Sequence, residues 1–98
     1  MLQKIDNNSV RGPYFTVTIP DIRTLVYSEG GKIAVIEIEG GGMDEPREVD
    51  WLVYAQTFRG WSPPHESVEI SNEKRRQILE NVSESLMTLG MAHKIVEQ

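Results

Sequence analysis

Cysteine is missing from all 98 residues. That excludes disulfides, thiolate zinc sites and cysteine nucleophiles. A small chain without disulfide staples fits a reducing cytosol, so a cytoplasmic location is expected. Long apolar runs are missing too. No stretch approaches the roughly 18 consecutive apolar residues of a membrane span. The N-terminal stretch from Met1 to Arg11 lacks the apolar core of a secretory signal. A basic stripe, which nucleic-acid binding requires, is also lacking. Lys74-Arg75-Arg76 is short and falls at a helix start.

What is present is a local excess of acid. The net charge is −5. Glu37, Glu39, Asp44, Glu45, Glu48 and Asp50 stand against the single base Arg47, so this segment carries the whole excess. A partner with a basic surface is the electrostatic expectation.

The length suits one domain with one core. Residues 1–12 are polar around Asn7-Asn8-Ser9 and read as a flexible lead-in, with a single domain over 13–98. Tyr14 to Ile19 alternates Phe15, Val17 and Ile19 against Tyr14, Thr16 and Thr18, which is the period of a strand. Ile22 to Tyr27 and Lys32 to Ile38 flank a Gly-Gly turn and read as a hairpin. The second run is apolar on both faces at first and is expected at the centre of the sheet. Val49 to Phe58 reads as the longest strand, with Val49, Trp51, Val53 and Ala55 on one face. Trp61 in the following proline-rich loop is expected to plug one end of the core.

The helix is the clearest element. Ser71 is a natural N-cap. Ile78, Leu79, Val82, Leu86 and Leu89 form an apolar stripe, and Gly90 ends the helix as a left-handed residue would. Met91 to Val96 reads as a short last strand. The expected fold is α+β: a twisted, mostly antiparallel sheet of four to five strands, with one long C-terminal helix packed on one face.

No reactive constellation emerges. His65 and His93 lack the spacing of metal ligands on one helix, and a metal site needs three or four converging groups. The serines have no nucleophile motif around them. Gly40-Gly41-Gly42 lacks the Lys-Ser/Thr of a phosphate loop, and the acidic segment fails the calcium-loop pattern. The expectation is a non-enzymatic chain with no cofactor and no metal. The candidate partner-binding residues are Asp44, Glu45, Glu48 and Asp50 for their charge, with Tyr54 and Trp61 as aromatic anchors. An alternative is a small-ligand module with Trp51, Tyr54 and Trp61 lining a cleft. An uncovered edge strand could pair two copies as a homodimer.

Tyr54-Ala55, Phe58 and Trp61-Ser62-Pro63-Pro64 are followed by Ile70-Ser71. An amphipathic helix with Arg75, Arg76, Ile78 and Leu86 comes next, then Gly90 and Ile95-Val96-Glu97. This pattern, over residues 22–97, resembles the immunity protein 74 family of bacterial polymorphic-toxin systems. The hairpin from Ile22 to Gly40 is similar to that family's N-terminal strands. Residues 1–20 are additional to the pattern, and the acidic glycine-rich stretch 40–48 departs from it. The resemblance implies a cytosolic antidote that binds the toxic domain of a cognate toxin. It brings no catalytic motif.

Overall fold

The computed structural model describes residues 2–40 and 49–97. Among these, seven strands and one helix make an α+β fold. The strands are β1 (Gln3–Asp6), β2 (Ser9–Arg11), β3 (Phe15–Asp21), β4 (Thr24–Glu29), β5 (Lys32–Gly40), β6 (Trp51–Tyr54) and β7 (His93–Val96). They lie side by side in chain order. Every neighbouring pair is antiparallel except β6 and β7, which are parallel because helix α1 (Asn72–Thr88) connects them.

Seven strands replace the four to five expected from sequence. Part of the difference is the N-terminal hairpin. Residues 3–11, read as a lead-in, form β1 and β2 around a turn in which Asp6 Oδ1 accepts the Asn8 N–H at 2.8 Å. The same Asx geometry turns β3 into β4, where Asp21 Oδ1 accepts the Arg23 N–H at 2.8 Å. Between β4 and β5 the two-residue loop Gly30-Gly31 has φ of 56° and 79°. Positive φ at both positions is the twist-matched hairpin turn that favours glycine.

Alternation divides the sheet into two faces. On one, Val10, Val17, Tyr27 and Ala34 stand in one cross-strand row. Leu25 pairs with Ile36, and Ile38, Val53 and Ile95 make a further row. These residues are buried, apart from the half-buried Ile95, and α1 lies over them with Ile78, Leu79, Val82 and Leu86. Most of a helix's stability in a protein comes from packing its apolar face, and this packing is what holds α1. Full burial of each aliphatic side chain is worth about 1.5–3 kcal/mol.

The helix ends are closed as their residue types dictate. Ser71 Oγ accepts the Lys74 N–H at 3.1 Å. At the other end Gly90 has φ 75°, and the Gly90 and Met91 N–H groups reach Met87 and Leu86 carbonyls at 2.9 Å each. This pair of bonds is the Schellman arrangement.

Two consecutive helix residues tether α1 sideways. Lys74 forms an ion pair with Glu29 at the end of β4. Tyr27 donates its hydroxyl to the other Glu29 oxygen at 2.5 Å, and Asn81 donates to the Tyr27 and Tyr14 hydroxyls at 3.1 Å each. Burial alone would raise the Glu29 carboxyl. The hydrogen bonds from Lys74 and Tyr27 outweigh it and hold the group below the ordinary glutamate range. Burial and the Glu29 carboxylate together push the Tyr27 hydroxyl far upward, so it stays a donor. Arg75 takes the opposite side. Its fork donates to the Phe58 carbonyl and, at 2.6 Å, to the Ala55 carbonyl, while the guanidinium lies 5.1 Å from the Phe58 ring centre.

The Arg75 fork explains why β6 stops at Tyr54 instead of running to Phe58. The backbone turns through a 3₁₀ segment, Ala55–Thr57, which presents the Ala55 carbonyl to Arg75 and to the Phe58 N–H. Thr57 Oγ1 then takes the Glu37 N–H at 2.8 Å, in place of the ladder bond that a longer β6 would supply. The longest strand is therefore β5, with nine residues. It lies inside the sheet, as its apolar character suggested. Only Ala34, Ile36 and Ile38 are buried, however, because the other face has no covering layer.

Two outcomes follow for stability. Leu86→Ala removes a fully buried side chain and is expected to lower unfolding free energy by about 2–5 kcal/mol, read from urea midpoints at constant slope. The depressed Glu29 carboxyl contributes stability that is present above its unfolded pKa, near 4.3, and is lost as pH falls through the lower folded value. Urea midpoints between pH 6 and pH 3 are expected to fall less steeply for Glu29→Gln than for the unaltered chain.

Candidate docking surface

The face away from α1 is set by the same alternation. Thr16, Ser28 and Ile33 form one row. Thr18, Val26 and Val35 form the next. Then come Thr24, Glu37, Tyr54 and Val96, and finally Glu39, Leu52 and Lys94. Ile33 and Val35 are 44% and 43% exposed. Polar threonines on one flank and carboxylates on the other border this apolar centre.

The acidic end carries the most chemistry. Tyr54 donates its hydroxyl to Glu39 Oε2 at 3.0 Å. That bond to a carboxylate, with a smaller effect of burial, raises the Tyr54 pKa and keeps the hydroxyl protonated. Beside it the β3–β4 turn presents Ile22, 74% exposed, and Arg23. The Arg23 carbonyl accepts the Ile38 N–H at 3.0 Å, which fixes the turn against β5. Together Ile22, Arg23, Glu37, Glu39, Trp51 and Tyr54 line an open cleft of about 550 Å³.

The residues singled out from sequence are distributed unevenly over this surface. Tyr54 is in the cleft. Asp50 is exposed one residue before β6, and its carboxylate accepts the Ala92 N–H at 2.9 Å, which pins the start of β7. Asp44, Glu45 and Glu48 lie outside the described residues. Trp61 is 5% exposed. It stacks over Tyr27 at 6.3 Å and lies under the Lys32 ammonium at 5.7 Å, so it plugs the core and offers little surface. Trp51 and Tyr54 share the cleft, whereas Trp61 does not line it.

Sequence reasoning did not place Glu37, Glu39 and Ile22 among the candidate residues. Strict alternation puts Glu37 and Glu39 on the same face as Tyr54 once the β5–β6 register is known. Ile22, an isoleucine in a Pro-Asp-Ile-Arg turn, was the one available signal.

Among the described residues no group of three or more His, Asp or Glu converges in a metal-binding arrangement. His93 accepts the Ser83 hydroxyl on Nε2 at 2.7 Å while its Nδ1 donates to the Met91 carbonyl at 3.2 Å, which ties α1 to β7. Among the described residues no helix is long and apolar enough to cross a membrane.

Residues 17–96 match the family model of immunity protein 74. The match begins inside β3, so the β1–β2 hairpin precedes it, and it includes the cleft, the Arg75 tether and β7. No curated protein and no solved structure matches the chain. With most of its length matched, the chain belongs to the immunity protein 74 family.

Proposed function

We propose that this chain binds a cognate toxin domain of a bacterial polymorphic-toxin system in the cytoplasm and neutralises it by covering the surface the toxin needs. Family membership supports a protein toxin as the partner. One observation carries the choice of surface. Exposed Ile22 and half-buried Tyr54 line one cleft with Glu37 and Glu39, at the end of the sheet where the acidic segment follows β5 in the sequence.

Docking there would combine an apolar anchor with a negative rim. Tyr54 supplies a rigid ring with a polar tip, the kind of residue that dominates interface energetics. The acids, with Asp44, Glu45 and Glu48 between Gly40 and Asp50, complement a basic toxin surface and speed encounter. The apolar contacts hold the complex, so they set its dissociation rate.

The test uses the product of the adjacent gene as the toxin probe. Co-expression should yield a complex and relieve toxicity. Reversal of Asp44, Glu45 and Glu48 to lysine should slow association about tenfold at low salt, with the difference shrinking as salt rises. Tyr54→Ala should mainly raise the dissociation rate. A neighbouring product that neither binds nor is neutralised would end this reading. Association rates indifferent to the charge reversal would remove the acidic segment from the interface.

A further inference from the structure

We propose that β7 is a self-association edge, on which a second copy of this chain pairs antiparallel in a register centred on Ile95. This inference is independent of the toxin reading. The phase of the β6–β7 ladder decides which backbone groups of β7 are free to pair. The Ala92 carbonyl accepts the Asp50 and Trp51 N–H groups at 2.7 and 3.2 Å. In a parallel ladder, alternate residues turn both backbone groups to the same neighbour. Ala92, Lys94 and Val96 therefore address β6, and His93 and Ile95 direct their N–H and C=O groups away from the sheet. Among the described residues no backbone group takes these outward donors and acceptors.

An extended strand is the ligand that satisfies such a row. The opposite edge is less suited to one. β1 carries a register shift between Lys4 and Asp6, and an irregular edge of this kind blocks further pairing. β7 pairs with β6 residue for residue, without interruption.

The strand's own side chains choose the occupant and the register. A two-fold centred on Lys94 would set two ammonium groups directly opposite, which is unfavourable. Centred on Ile95, the pairing sets Lys94 opposite Val96 of the second copy, His93 opposite Glu97, and Ile95 opposite Ile95. Both outward residues then exchange hydrogen bonds. A groove of about 490 Å³ runs between α1 and β7 and is lined in part by Leu79, Ser83 and Ile95. It lies on the face to which Ile95 of the second copy would point. The chain's acidic excess is concentrated in residues 37–50, whereas β7 and Glu97 carry one lysine and one glutamate.

A strand pair with a small groove buries less than the roughly 1,200 Å² of a standard interface, so the dimer is expected to be weak. Light scattering after gel filtration, or sedimentation equilibrium, should show the mass rise from 11.1 kDa toward twice that value as concentration approaches about 1 mM. Val96→Lys alters a half-buried side chain on the open face and leaves the backbone donors intact. It places like charges opposite at two symmetric positions and should weaken dimerisation about tenfold. Adding Lys94→Glu should restore it. Thermal unfolding by circular dichroism confirms that both variants are folded. An unaltered chain that stays at 11.1 kDa throughout, or a folded Val96→Lys variant that dimerises like the unaltered chain, would overturn the proposal.

Discussion

A single helix can cover only one face of a seven-stranded sheet, and the rest of the structure follows from that restriction. The helix is about 10 Å across, while seven strands at about 4.8 Å spacing span roughly 29 Å. The burial pattern obeys this arithmetic. β2 through β6 bury residues beneath α1, Val10 on β2 among them. The edge strand β1 buries none, and β7 is half-buried. Lys74 and Arg75 fix where the helix sits by reaching opposite ways, one to Glu29 on β4 and the other to the carbonyls just past β6. Because Arg75 claims those carbonyls, β6 ends early, and Thr57 closes the adjoining part of β5.

The uncovered parts of the sheet are distinct in chemistry. The open face has an apolar centre and an acidic end with Tyr54 and Ile22 beside the cleft. The β7 edge is nearly neutral in charge and offers backbone hydrogen bonds. A charged, aromatic surface is suited to steering and anchoring a folded basic partner. A bare strand edge is suited to another strand. The proposed toxin contact and the proposed self-pairing therefore draw on different forces, the one on the open face and the other on the backbone edge of β7, whose Val96 adjoins Tyr54.

The elements legible in the sequence were those defined by local chemistry. Ser71 and Gly90 marked the helix ends to within a residue, because caps act over one turn. The Gly-Gly hairpin and the alternation of Phe15, Val17 and Ile19 were equally local. Three features depended on contacts distant in sequence; two were missed and one was left open between two readings. The end of β6 is set by Arg75, about 20 residues onward. The N-terminal hairpin is stabilised by pairing with β3, since its own strands are short and largely polar. Trp61 carried two expectations, core plug and interface anchor; stacking on Tyr27 decides for the plug, while the β5–β6 register turns Tyr54 to the open face.

On the proposed reading, α1 takes one face of the sheet and the other, with its acidic cleft, receives the partner. Hydroxyl-radical footprinting of the free and toxin-bound chain addresses it directly, since Met87 on the outer side of α1 is 68% exposed and serves as an internal control. Protection of Tyr54 and Ile22 with Met87 unchanged is the predicted result. Protection of Met87 with Tyr54 and Ile22 still reactive would place the partner on the helix and contradict the account.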